Sequence, residues 1–170
     1  MAENSPSRKR ILGEVDLIVF DFDGVLTDNR VLVFEDGREA VLCSRTDGLA
    51  FDMLRAASIG VMIMSTERNP VVAARAAKVC VPVLQALADK GGALVEHCRV
   101  ASVDLRRVAF IGNDVNDLSA MRLVGYPIAV ADAHPEAKKI AWLVLATRGG
   151  DGVAREIAET LLGLQHPVFA

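Results

Sequence analysis

Four short stretches of this chain carry side chains that could do chemistry together. Asp21 and Asp23 stand one residue apart, followed by Gly24. Ser65 and Thr66 offer neighbouring hydroxyls, and Lys90 sits between Asp89 and Gly91. Gly112-Asn113-Asp114-Val115-Asn116-Asp117 is a second acidic stretch. Each alone is an ordinary turn or helix start. Together they supply what phosphoryl transfer requires: a nucleophile, a metal ion for the phosphate oxygens, further donors, and an acid for the leaving group. Asp21 can attack phosphorus and form an aspartyl-phosphate. Asp23 can protonate the leaving alkoxide and then deprotonate the hydrolytic water. Ser65 can donate to a phosphate oxygen, and Lys90 supplies a point charge. Hard carboxylate oxygens suit Mg²⁺. Asp21, Asp23, Asp114 and Asp117 are the expected metal set, with Asp117 holding the ion or a bound water.

These residues converge only if particular elements carry them. Val15–Phe20 is a nearly continuous apolar run and reads as a buried parallel strand ending at Asp21. Val61–Met64 ends at Ser65, and Val108–Ile111 ends at the second acidic stretch. Arg30–Phe34 and Arg38–Ser44 flank Glu35-Asp36-Gly37 and read as a hairpin flap over about 30–44. Asp47 is expected to cap a helix through Leu54, and Asn69-Pro70 to start another through Val79. Pro82 marks Val81–Leu84 as an edge strand. Asp89 to Gly92 opens a helix, His134-Pro135 another, and the last runs from Asp151 to Leu162. Alternating strands and helices predict a Rossmann-like, doubly wound α/β parallel sheet with a flap insertion and no large cap domain. The expected organisation is a flexible tail over 1–14, one domain over 15–164 and a short tail over 165–170.

Composition narrows the function classes. The 170 residues are 52% hydrophobic with a net charge of −3. That fits one domain with a full core and argues against nucleic acid as a partner. No apolar run is long enough to span a bilayer, and Glu14 and Asp16 interrupt any leader-like core. Cys43, Cys80 and Cys98 have no metal-ligand spacing and suit a reducing, cytoplasmic setting, with Cys80 and Cys98 expected in the core.

The four motifs in order, from Asp21-Phe22-Asp23-Gly24-Val25-Leu26-Thr27-Asp28 through Ser65 and Lys90 to Gly112–Asp117, resemble the haloacid dehalogenase superfamily of phosphatases. The resemblance implies the roles above and adds that Asp23 binds the metal through its backbone carbonyl. Ser65 stands where most members have Thr. The flap and Gly149-Gly150-Asp151-Gly152-Val153-Ala154-Arg155-Glu156 resemble the capless subfamily of 3-deoxy-octulosonate (KDO) 8-phosphate and nonulosonate (KDN) 9-phosphate phosphatases. They also resemble the non-catalytic oligomerisation module of CMP-sialate synthetases. The resemblance implies a homotetramer in which flap and C-terminal tail complete a neighbouring site.

Ser65-Thr66-Glu67-Arg68 followed by Arg75 and Lys78 looks more like the nine-carbon type. Thr66, Glu67, Arg75 and Lys78, with Arg45, Asp47 and Asn113, are therefore the expected substrate contacts. A phosphorylated nonulosonate is the expected substrate, KDO 8-phosphate the alternative, and the non-catalytic module a further one.

Overall fold

The computed structural model describes residues 15–163; the two expected tails lie outside them. The chain runs β1 (Leu17–Phe20), β2 (Leu32–Val33), β3 (Glu39–Ala40), α1 (Arg45–Ala56), β4 (Gly60–Met64), α2 (Val71–Lys78) and β5 (Val83–Leu84). It continues with α3 (Lys90–Ala101), β6 (Val108–Gly112), α4 (Leu118–Met121), β7 (Tyr126–Ala129), α5 (Pro135–Ile140), β8 (Leu143–Val144) and α6 (Val153–Leu162). Six parallel strands form one sheet in the order β5-β4-β1-β6-β7-β8, as the alternation predicts. The chain winds outward from β1 to β5, then crosses over and winds outward again from β6. β1 therefore sits at the reversal of strand order, where open α/β sheets leave a crevice.

All four residues of β1 and all five of β6 are buried, which their unbroken apolar sequence requires. Phe20 packs edge-to-face on Phe51 of α1, with centroids 5.5 Å apart. That contact clamps β1 one residue before Asp21. The Asp21 amide extends the ladder by donating to the Ile111 carbonyl at 2.9 Å. α1 packs along α6, and α3 against α4.

Local starts differ from expectation in three places. Ser44, not Asp47, caps α1, its hydroxyl accepting from the Thr46 amide at 3.3 Å. Asp47 instead lies inside the first turn, buried toward α6. Asn69 does accept from the Val71 amide at 3.0 Å, but Pro70 precedes the first helical residue of α2 rather than being it. Cys80 is exposed, because the chain leaves α2 through a left-handed turn with Cys80 at φ 55°. Cys98 is buried as expected.

The flap is a hairpin, as the two runs around Asp36-Gly37 predict. Its regular pairing is only Leu32 with Ala40 and Val33 with Glu39. A two-stranded ribbon with no third strand and no covered face has little to hold longer pairing. Leu32, Val33 and Leu42 are 61%, 60% and 78% exposed.

Candidate active site

Lys90 is the centre of the site's geometry. It begins α3, and Asp89 caps that helix by accepting from the Gly91 amide at 3.0 Å. The side chain is wholly buried, and its Nζ lies 2.6 Å from Asp21 Oδ1 and 2.6 Å from Asp117 Oδ1. A buried cation persists only when paired. Burial works against its charge, yet the two carboxylates outweigh burial and hold its pKa above the ordinary lysine value.

Asp21 is held as tightly. Its Oδ1 also accepts from the Phe22 amide at 2.7 Å. Burial, reinforced by the Asp117 charge, pushes its pKa up to about 8 despite Lys90. Negative charge is thus in excess at this depth, and a further cation would relieve it. Asp23 is partly exposed; burial first, then the Glu67 charge, raises its pKa. A carboxyl poised upward is suited to giving and taking a proton.

Asp21, Asp23, Thr66, Glu67, Asn113 and Asp114 line one cavity of about 510 Å³ at the carboxyl ends of β1, β4 and β6. Ser65 lies buried just behind, its Oγ accepting from the Glu67 amide at 3.0 Å and so still able to donate. Arg30, Glu39 and Asn69, which the four motifs do not include, line the same cavity. Glu39 Oε2 accepts from Asn69 Nδ2 at 2.8 Å and ties the flap to the start of α2. Glu39 is one of several charged residues in the hairpin and nothing in the sequence sets it apart; Asn69 reads only as a cap.

Besides the buried Ser65 and Lys90, five expected site residues do not line this cavity. Asp117 is already engaged: Oδ1 takes Lys90, and Oδ2 takes the amides of Asn113 at 2.8 Å and Asp114 at 3.2 Å. It secures the lysine and the loop. Arg45, Arg75 and Lys78 line a separate hollow with Arg55, on the side where α1 meets α2. Arg75 faces away because its guanidinium donates to the Ser44 carbonyl at 2.7 Å.

Asp47 does not line the cavity either: its Oδ1 accepts from the Ala154 amide at 3.0 Å, at the start of α6. Burial raises its pKa to about 6, opposed by that amide and by Arg75. An acid whose folded-state pKa is raised adds stability that is fully present below its unfolded pKa. That stability is lost as pH rises through about 6. Asp47→Asn is expected to remove about 2 kcal/mol of this fall between pH 4 and 7. Urea midpoints at both pH values, against the parent, check it; an unchanged slope would clear Asp47 of the effect.

Among the described residues no three His, Cys, Asp or Glu side chains stand close enough to share an ion. Mg²⁺ does not need such a cage, since it keeps waters and takes one or two carboxylates plus phosphate oxygens. Asp21 and Asp114, with the Asp23 backbone, fit that demand.

A family model for haloacid dehalogenase-like hydrolases matches residues 52–157. The chain belongs to that family. A 3-deoxy-D-manno-octulosonate 8-phosphate phosphatase of Haemophilus influenzae is 32% identical over 91% of this chain and 86% of its own length. A protein of Streptomyces avermitilis assigned to the same hydrolase family superposes with a TM-score of 0.88 at 47% identity, covering 90% of this chain and 88% of its own. The Moraxella catarrhalis KDO 8-phosphate phosphatase, solved with magnesium, phosphate and KDO, superposes with a TM-score of 0.88 at 27% identity, over 94% and 92% of the two chains. This HAD-like hydrolase is a phosphoric monoester hydrolase.

Proposed function

We propose that the protein is a Mg²⁺-dependent phosphatase of a phosphorylated sugar acid, with KDO 8-phosphate ahead of nonulosonate 9-phosphates. The observation that carries this reading is the buried Lys90 pairing Asp21 beneath a carboxylate-lined cavity of about 510 Å³. The relatives named as KDO 8-phosphate phosphatases favour the eight-carbon substrate. Of the residues that favoured nine carbons, only Glu67 lines the cavity; Arg75 and Lys78 do not.

In this reading an Asp21 oxygen attacks phosphorus, and the ester P–O bond breaks toward the sugar. Asp23 gives its proton to the leaving alkoxide. It then takes one from a water that attacks the aspartyl-phosphate, releasing inorganic phosphate and restoring Asp21. Lys90 keeps Asp21 aimed and favours its charged form, and Ser65 Oγ donates to a phosphate oxygen. Mg²⁺ held by Asp21, Asp114 and the Asp23 carbonyl would neutralise the remaining oxygens. Asp117 serves by fixing Lys90 and the Asn113–Asp114 backbone.

A homotetramer built through the flaps belongs to the same reading, because exposed Leu32, Val33 and Leu42 need a partner and a second copy is the simplest one. So does a cytoplasmic setting, which suits free Cys43, Cys80 and Cys98. No helix among the described residues is long and apolar enough to cross a membrane.

The test is kcat/KM with Mg²⁺ on KDO 8-phosphate, KDN 9-phosphate, N-acetylneuraminate 9-phosphate and an aryl phosphate. KDO 8-phosphate is expected to lead by about tenfold or more, the scale at which pocket contacts discriminate. A nine-carbon preference moves the substrate and keeps the chemistry. No turnover of any of the four would leave the oligomerisation module as the better reading.

A further inference from the structure

We infer that residues 146–152 form a backbone brace that positions the Asp23 loop, and that Asp132 and Glu156 are positioning residues acting through it. The inference rests on the reading of Asp21 and Asp23 as the reacting pair.

The loop after Asp21 is a tight coil. The amides of Leu26 and Thr27 both donate to the Phe22 carbonyl, at 2.9 and 3.2 Å. Thr27 Oγ1 accepts from the Gly24 amide at 3.2 Å. Gly24 has φ 79°, and a Cβ there would lie 1.9 Å from Asn113 Nδ2. One side of the loop is therefore fixed by the second acidic stretch.

The opposite side is fixed by the brace. The Gly150 amide donates to the Val25 carbonyl at 3.0 Å. A Cβ on Gly149 would fall 2.2 Å from the Gly24 carbonyl oxygen and 2.9 Å from that of Thr27. Two backbones thus touch with no side chain between them, and any displacement of one moves the other. Gly24 directly follows Asp23, so the displacement reaches the reacting carboxyl.

The brace is itself anchored by carboxylates from two other places in the fold. Glu156 of α6 spends both oxygens on it, Oε1 on the Ala146 amide at 3.0 Å and Oε2 on the Thr147 amide at 2.8 Å. Asp132, after β7, accepts from the Gly149 amide at 2.9 Å and lies 3.3 Å from Arg148. Neither carboxylate lines the cavity. The glycine-rich stretch thus supports the site of its own chain. α6, which follows it, is core: Val153, Ala154, Ile157, Ala158 and Leu161 are buried.

The experiment pairs Gly149→Ala, which puts an atom where there is no room, with Glu156→Gln, which keeps size and loses one acceptor. Two quantities are read: steady-state kinetics on an aryl phosphate, and amide hydrogen exchange of the peptide covering residues 22–28. Gly149→Ala is expected to lower kcat about 10- to 100-fold, the scale for a small misplacement of reacting groups, with KM within about threefold. Exchange over 22–28 rises in both variants while β1 and β6 stay protected. Glu156→Gln shows the same kcat-selective loss at smaller size, which carries the test if Gly149→Ala does not fold. Unchanged kcat, or exchange that rises across the whole sheet rather than in the loop, overturns the brace. An inactive parent protein would instead refute the reacting-pair reading, and the exchange data would still decide whether the brace holds the loop.

Discussion

Asp21→Asn is expected to lower turnover by about 10⁴-fold or more, because an amide cannot form the acyl-phosphate on which the two-step route depends. The fold should survive the change. The Asn oxygen can still accept from the Phe22 amide, and Lys90 keeps Asp117 as counter-ion. Burial and the Asp117 charge already push Asp21 up to about 8, so its charge costs stability at neutral pH in metal-free protein. Without Mg²⁺ the variant should therefore melt no lower than its parent. Kinetics on an aryl phosphate and a melting curve in chelator check both halves. Near-full activity would remove Asp21 as nucleophile; a large loss of melting temperature would mean that its charge is needed to keep Lys90 inside.

Lys90→Met is expected to damage stability and activity together. The substitution leaves Asp21 and Asp117 facing each other with nothing between them, and breaking a buried pair by removing one partner costs about 3–5 kcal/mol. The sign of the pH dependence follows. With its cation gone, Asp21, already pushed up by burial and the Asp117 charge, is pushed up further, so stability is kept at low pH and lost as pH rises. Denaturant midpoints at pH 5 and 7.5 should diverge in the variant far more than in the parent. Turnover should fall by about 10²- to 10³-fold, as for loss of a preorganised electrostatic group. The double variant with Asp21→Asn should be less destabilised than the sum of the singles, because one of the two stranded charges is gone. A Lys90→Met protein as stable as its parent at pH 7.5 would contradict the buried pairing.

Much of this site could be read from spacing because strand ends constrain chemistry. Buried parallel strands have unbroken apolar sequence, so the residue at which polarity resumes marks the crevice. That located Asp21, Ser65, Asn113 and Asp114 without coordinates. Lys90 followed from its helix-start context and its place in the motif order. Distance in space could not be read in the same way. Arg75 and Lys78 share a helix face in sequence, but the direction of that face depends on how α2 settles between β4 and β5. The structure turns it toward α1. Asp47 looked like a cap since Asp in a first turn usually is one; its burial against Ala154 is a contact across 107 residues. Glu156 and Asp132 accept backbone amides, and no sequence pattern reveals which amides a carboxylate will find. The flap hairpin was legible from its two runs around Asp36-Gly37; how short its regular pairing would be was not, because pairing lengthens only where something covers one of the faces.

The position of β1 between β4 and β6 has a consequence for how activity is acquired. Leu17 pairs with Gly60 on one side and with Val108 on the other. Both pairings close long stretches of chain, and loop closure of that kind places a fold among the slower ones. Asp21 meets Lys90 and Asp117 only after the second closure is made. A nascent or refolding chain that has joined β1 to β4 alone would hold a nucleophile without its cation. Catalytic competence should therefore appear in refolding no earlier than protection of β6, making enzyme activity a late reporter of folding for this protein.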